Sequence, residues 1–339
     1  MRFKRIKEGL IDLYVPAVDL PERGRARGFY NPVMEFDRDM SVVFVKLVKS
    51  KTVLDAMSAT GVRGIRYAKE CDCRVWLNDV NEKAVELIKR NVALNKIKSR
   101  ILKMTWDDCN RVMVSNKFDF IDLDPYGSPV WSLDSAVQGL SRKGGFLAVT
   151  ATDLGALFGR YPEACYRRYF FRSQKTDYSR ELGARILVTA IIREFAKHDR
   201  AFIPLLTYYR RHYIRTYGKV VEKLSELEKL LSEIRPVELE KSTWSVGKGQ
   251  LLYLGKIENK NFLKKMKKEI CKSKFQLLKQ ELKLLALLIE EADAPLFYYD
   301  MHQIYRGKEI PSMEKLLKKY KGVRTHFCGT GIKTSFSKL

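Results

Sequence analysis

The stretch DLDPYGSP (122–129) ends an apolar run in two acids and continues at once with proline, an aromatic ring and glycine. A carboxylate and a ring held together at a strand end can grip a flat, amine-bearing heterocycle. The same residues can also form a plain proline turn with Asp124 as a helix cap. A second stretch, SATGVRG (58–64), places Gly61 and Gly64 after another apolar run, where missing side chains let the backbone approach a ligand. Asp55, just before it, can accept hydrogen bonds nearby. Asp79 follows Gly61 by eighteen residues, close to the spacing of a carboxylate that binds a ribose hydroxyl pair in nucleotide-binding sheets. The turn is not Gly-x-Gly-x-x-Gly and nothing suggests a pyrophosphate contact, so a nucleoside without phosphates fits better than a dinucleotide.

These residues need strand ends to hold them. TVLDAMSA (52–59), RVWLNDV (74–80), KFDFIDLD (117–124) and GGFLAVTAT (144–152) read as strands. GIRYAKEC, the segment after Asn81, SLDSAVQGL and ELGARILVTAIIREFAKH (181–198) read as helices between or after them, with Asn81 as an N-cap. Apolar strands alternating with helices predict an α/β fold, a parallel sheet with helices on both faces. In such a sheet ligands bind outside the carboxyl ends of the strands, where Asp55, Asp79 and Asp124 all stand. LLTYYRRHYIRTY (205–217) reads as one further strand whose rings and cations could face RNA or simply pack. From about 220 the pattern changes to lysine-rich helices such as VEKLSELEKLLSEI and FLKKMKKEICKSKFQLLKQELKLLALLIEEA. The expected division is therefore 1–219, carrying the sheet, and 220–339, a smaller basic, mostly α (α+β) domain.

The chain has 339 residues and 64 Lys and Arg against 40 Asp and Glu, a formal charge of +24. Solubility does not require such an excess, and a polyanion such as nucleic acid is its usual cause. The excess is densest at the end, with 28 basic and 15 acidic residues in 201–339. The N-terminus has no apolar core of a signal sequence, which predicts a cytoplasmic protein with no membrane span. The six cysteines show no Cys-x-x-Cys pair, so no metal is expected and thiols in a reducing compartment are the default.

An acid followed by proline and an aromatic, after a strand of such a sheet, resembles the Asp/Asn-Pro-Pro-Tyr/Phe signature of S-adenosylmethionine-dependent methyltransferases acting on base amines. The chemistry suits those residue types. A base amine is a poor nucleophile because its lone pair is delocalised into the ring. Hydrogen bonds from its N–H groups to Asp124 and the Pro125 carbonyl would localise that pair, and Tyr126 would stack on the base.

The wider sequence resembles one family, the tRNA guanine-26 N2-dimethyltransferases. The matching stretches are GFYNPVMEFDRDMSV (28–42), LDAMSATGVRGIRYAKE (54–70), WLNDVNEKAVELIKRNVALN (76–95), DDCN (107–110), FIDLDPYGSP (120–129), VTATDLGALFG (149–159), ELGARIL (181–187) and RTHFCGTGIKT (324–334). The resemblance implies a Rossmann-like class I methyltransferase sheet, S-adenosyl-L-methionine as cofactor and tRNA as partner. It further implies that Arg38, Arg63, Asp79 and Asp108, with Cys109 beside it and Asp55 and Gly61 in the same turns, hold the cofactor. Asp124 then acts on the guanine amine, while Phe29 and Tyr126 sandwich the base.

Several members of that family carry a four-cysteine zinc site in the C-terminal part, whereas 241–260 here contains no cysteine. The basic helix and Gly-rich segment over 311–334 suit an RNA-facing role, although lysine runs are most often solvated faces. His326 could touch phosphate or be structural. The alternatives are an amino-methyltransferase on another nucleic acid, ribosomal RNA guanine or DNA adenine, and a catalytically silent RNA-binding protein. The sequence leaves the oligomeric state open and is compatible with a monomer.

Overall fold

The computed structural model describes residues 3–17 and 29–335. The chain forms two compact units, 1–124 with 134–148 and 268–282, and 125–133 with 149–267 and 283–339. The change of composition near residue 220 marks a different division, at the end of the last long strand.

In the first unit a hairpin of β1 (Phe3–Glu8) and β2 (Ile11–Pro16) precedes α1 (Glu35–Val48). Then β3 (Thr52–Asp55), α2 (Val62–Glu70), β4 (Arg74–Asp79), α3 (Glu82–Leu94), β5 (Ile101–Trp106), α4 (Cys109–Ser115) and β6 (Phe120–Leu123) alternate. The four strands β5-β4-β3-β6 pair in parallel in that order, so their carboxyl ends share one edge. Each of the four residues of β6 is buried, as expected of a strand covered on both faces. Helix α5 (Leu133–Gly139) leads to β7 (Gly145–Ala151), along which the chain passes from the first unit to the second.

The second unit continues with α6 (Leu154–Leu157), α7 (Pro162–Tyr169), α8 (Ser179–Ala196), β8 (Ala201–Arg210) and β9 (Tyr213–Val221). The sheet is seven-stranded and mixed, in the order β5-β4-β3-β6-β7-β9-β8 with β8 antiparallel to β9. Helix α8 is buried along most of its length, and its buried Glu181 and Arg185 pair with each other at 3.0 Å. After α9 (Leu224–Ser232) comes a small antiparallel sheet of β10 (Ile234–Leu239), β11 (Trp244–Val246) and β12 (Gln250–Tyr253), in the order β11-β10-β12. Helices α10 (Lys260–Ile270) and α11 (Leu278–Glu291) follow. The C-terminal elements are β13 (Tyr299–Asp300), α12 (Met301–Ile304), α13 (Met313–Tyr320), β14 (Val323–Arg324) and β15 (Gly331–Lys333). They close over a small core of Met301, Leu316 and Ile332.

The α/β fold expected from the sequence is present, with four corrections of detail. LLTYYRRHYIRTY is not one strand but two antiparallel strands turning at Arg211 and His212, with Arg211 at φ 52°. Strands β1, β2 and β5 were not anticipated. The lysine-rich stretch 262–292 breaks between α10 and α11, and β10–β12 add sheet to a region read as helices. Of the tyrosines that interleave with cations there, Tyr208, Tyr213 and Tyr217 are fully buried, so those rings are packing rather than an RNA surface. His326 is also structural, its ring buried and paired with the Glu291 carboxylate.

Candidate active site

The strand ends of the first unit are knitted together by backbone contacts. Gly61 caps α2 at φ 79°, in the left-handed region, so the turn after β3 can fold back tightly. A Cβ on Gly64 would fall 2.2 Å from Leu77 Cδ2 and 2.9 Å from Asp55 Oδ2, so glycine is what lets α2 lie this close to the sheet. Asp55 Oδ2 accepts from the Gly64 N–H (2.9 Å). Burial and then the charge of Asp122 push the Asp55 carboxyl up to about 7. Asp79 accepts from the backbone N–H of Ala59 and of Asn81, one on each oxygen and both at 2.8 Å. Burial outweighs these two bonds and raises its pKa. Each Asp79 oxygen has two lone pairs and spends one on the backbone, which leaves acceptor capacity for a pair of hydroxyls. The sequence missed Asn78, whose amide donates to the carbonyls of Ala56 (3.1 Å) and Asp107 (3.0 Å) and so joins the loops after β3 and β5.

A buried network of acids and arginines stands beside these loops. Arg63, with a side chain 6% exposed, donates to Asp124 (2.5 Å) and Ser41 (2.7 Å) and pairs with Asp37 (2.8 Å). Its Nε lies 3.9 Å from Asp122, whose other oxygen accepts from the Tyr67 hydroxyl at 2.6 Å. Burial alone would lower the Arg63 pKa, but Asp122, Asp37 and Asp124 raise it well above its ordinary value. Arg38 is gripped through two nitrogens by Glu8, both at 2.6 Å, and also donates to the Asn31 carbonyl. Arg66 pairs with Glu8 (3.1 Å), Asp39 (2.6 Å) and Glu70 (2.7 Å). Burial pushes Glu8 up, yet Arg38 and Arg66 together hold it at about 2. Charges this deep persist only when paired and hydrogen-bonded.

Asp39 also faces Glu281 of the distant segment 268–282. Burial, then the hydrogen bonding and charge of Asp39, push Glu281 up to about 10.

The remaining residues singled out in the sequence are placed as follows. Asp108 is the exposed N-cap of α4 and accepts from the Asn110 N–H at 2.7 Å, while Cys109 is buried beside it. Phe29, in the first unit, is 44% exposed; Tyr126, in the second, is 60% exposed. Pro125 is buried. Gly127 donates to Thr152 Oγ1 (2.7 Å) and accepts from the Thr152 N–H (2.9 Å), which fixes the motif to the end of β7. Besides Asn78, sequence reading missed Glu8, Arg66 and Ser41; only the acid at the end of β1 and the polar spacing along α1 and α2 hinted at them.

A carboxylate with open lone pairs and a left-handed glycine turn suit the adenosine part of S-adenosylmethionine. No helix among the described residues is long and apolar enough to cross a membrane. A family model described as N2,N2-dimethylguanosine tRNA methyltransferase matches residues 22–248 and 237–338. A tRNA (guanine(26)-N(2))-dimethyltransferase of Pyrococcus horikoshii is 39% identical over 91% of this chain and 89% of its own length. One from Methanocorpusculum labreanum is 36% identical over 99% of this chain and 95% of its own. A solved complex of Trm1 from Pyrococcus horikoshii with S-adenosyl-L-methionine superposes with a TM-score of 0.90 at 35% identity, over 98% of this chain and 96% of that one. The chain belongs to the N2,N2-dimethylguanosine tRNA methyltransferase family.

Proposed function

We propose that this site transfers methyl groups from S-adenosylmethionine to the exocyclic N2 amine of guanine 26 in tRNA, giving the N2,N2-dimethylated base. The observation that carries the reading is the placement of Asp124. It stands just past the carboxyl end of β6, and the buried Arg63 fixes it at 2.5 Å. A carboxylate aimed this way can accept a hydrogen bond from the amine and draw its lone pair out of the ring, with the Pro125 carbonyl as a second acceptor. When bound, S-adenosylmethionine supplies an electrophilic methyl group. As N2 gains that methyl it sheds a proton, for which Asp124 is the acceptor. A second round would need a fresh S-adenosylmethionine, release of the accepted proton from Asp124, and rotation of the monomethylated amine so that its remaining N–H meets that carboxylate.

Cofactor binding is assigned to Asp79 for the ribose hydroxyls, to the Gly61 turn with Asp55, and to Asp108 and Cys109 at the start of α4. Arg38 and Arg63 hold their positions through Glu8 and through Asp37 and Ser41. Phe29 and Tyr126 take the two faces of the guanine once it has been turned out of the tRNA stack. The lysine-rich stretch 220–339 is assigned to tRNA backbone contacts, and the cytoplasm is the expected compartment. Relatives matching over nearly their whole length carry the tRNA guanine-26 name, so another nucleic acid or a silent binding role is not favoured.

The test replaces Asp124 by Ala and by Asn. Binding of S-adenosylmethionine and of tRNA should survive while methyl transfer falls by about 100-fold or more, with Asn keeping more rate than Ala because its carbonyl still accepts. Wild-type rates in both variants would mean that the motif is only a turn.

A further inference from the structure

A cavity of about 330 Å³ opens in the second unit between α7, α8 and the segment that follows Tyr126. Its volume matches a small-ligand site. Val130 and Leu133 of that segment line it, together with Arg168, Phe170, Arg193 and Lys197. The lining is positive on balance: Lys197 pairs with Glu194 (2.6 Å) and Arg168 with Asp153 (2.9 Å), and the Arg193 guanidinium lies over the Phe170 ring, 5.7 Å from its centroid.

Phe170 is the unusual residue. It closes α7 at φ 55°, a left-handed backbone that bulky side chains avoid, and it is 67% exposed. Neither the helix cap nor the core needs a phenyl ring there; glycine would serve the cap better. Strain kept for an exposed ring is a sign of use rather than packing. The surface continues outward, with Tyr166 edge-on to Phe170 at 6.3 Å and Arg172 over Tyr166 at 4.6 Å. Rings alternating with guanidinium groups form the kind of platform on which unpaired bases stack while their phosphates meet cations.

The cavity is also tied to the catalytic segment. Ser128 donates to the Tyr169 hydroxyl (2.9 Å), which donates to Asp153 (2.8 Å), the partner of Arg168. Val130 lies four residues past Tyr126, at most about 14 Å of extended chain. A few nucleotides of RNA backbone span that distance.

We propose that this cavity seats a nucleotide flanking the methylated guanine of the RNA substrate, its base against Phe170 and its phosphate among Arg168, Arg193 and Lys197. The inference rests on the function proposed above and deepens it, adding a second base-holding subsite to the one at Tyr126.

The decisive variant is Phe170→Gly, because glycine accepts a φ of 55° without strain and removes the ring without disturbing the fold. Its Tm should hold, and S-adenosylmethionine titration should be unchanged. Its Kd and KM for tRNA should rise about 5- to 150-fold, the range seen on removing a base-stacking ring. Arg193→Gln should lower the steepness of the log–log salt dependence of tRNA binding by about 0.7 to 0.9. The wild-type protein is assayed first, since failure to methylate tRNA would reject the function rather than the cavity. If the wild type methylates tRNA and both variants keep its Kd, KM and salt slope, the cavity assignment is wrong. A Phe170→Gly protein that melts earlier but binds tRNA normally would likewise overturn it, by making the ring a packing element.

Discussion

Asp79→Ala separates holding the cofactor from holding the fold. The wild-type carboxylate accepts the Ala59 and Asn81 N–H groups at 2.8 Å each, and the proposed function gives its remaining lone pairs to the cofactor. Under the proposed assignment, removing the carboxylate deletes two hydrogen bonds to ribose hydroxyls, each worth ~1.5–3 kcal/mol because the acceptor is charged. Their loss totals ~3–6 kcal/mol, so the Kd for S-adenosylmethionine should rise by about 10²- to 10⁴-fold. The two backbone N–H groups lose their partners as well. Both bonds are only part-buried, so the fold should lose ~2 kcal/mol, the lower end of about 1–3 kcal/mol for each of two unmade bonds. Isothermal calorimetry measures the first quantity and urea unfolding the second. Thermal shift gives a cross-check: cofactor at 100 times its Kd stabilises the wild type by ~2.7 kcal/mol, and the same concentration should leave the variant almost unmoved. A folded Asp79→Ala protein that binds the cofactor with wild-type affinity would refute the assignment, whatever its stability.

Arg63→Ala leaves Asp37, Asp122 and Asp124 without their shared cation and should destabilise the fold by ~3–5 kcal/mol, read as a lower urea midpoint. Glu281, pushed up to about 10 by burial and by Asp39, keeps a proton in the fold that the unfolded chain releases above about 4.5. That stabilisation is complete below 4.5 and is lost as pH rises toward 10, with a slope of up to ~1.4 kcal/mol per pH unit; Glu281→Gln should flatten the profile of Tm against pH. Binding to tRNA should weaken steeply with salt, each neutralised phosphate adding about −0.7 to −0.9 to the log–log slope, and a flat dependence would make the +24 charge incidental.

The strand ends that carry Asp55, Asp79 and Asp124 were legible because apolar runs, glycine turns and acids occur together there in short windows of sequence. Strand β5 was not: Lys103 and Thr105 break its apolar pattern. The β8–β9 turn escaped notice because Arg211 takes a left-handed conformation that glycine or asparagine would have advertised. Pairings such as Glu8 with Arg66, 58 residues apart, follow from the folded topology and leave no local trace. The same holds for the ring–cation pattern of 205–217. Alternation along a strand suggests one buried face and one wet one, whereas here both faces are covered, so that Tyr208, Tyr213 and Tyr217 are buried together with Arg215 and Thr216.

The facing of Asp39 by Glu281 also bears on the order in which the newborn chain can mature. The first unit needs residues 268–282, which leave the ribosome about 120 residues after 148, the end of its preceding segment. At about 5–20 residues per second that interval lasts roughly 6–24 s. Through it, Asp39 and Arg66 are already made while the segment that completes their surroundings is not. The first unit therefore cannot be finished in N- to C-terminal order, and a chain stopped near 220 would leave an acid and an arginine facing solvent where the whole protein buries them.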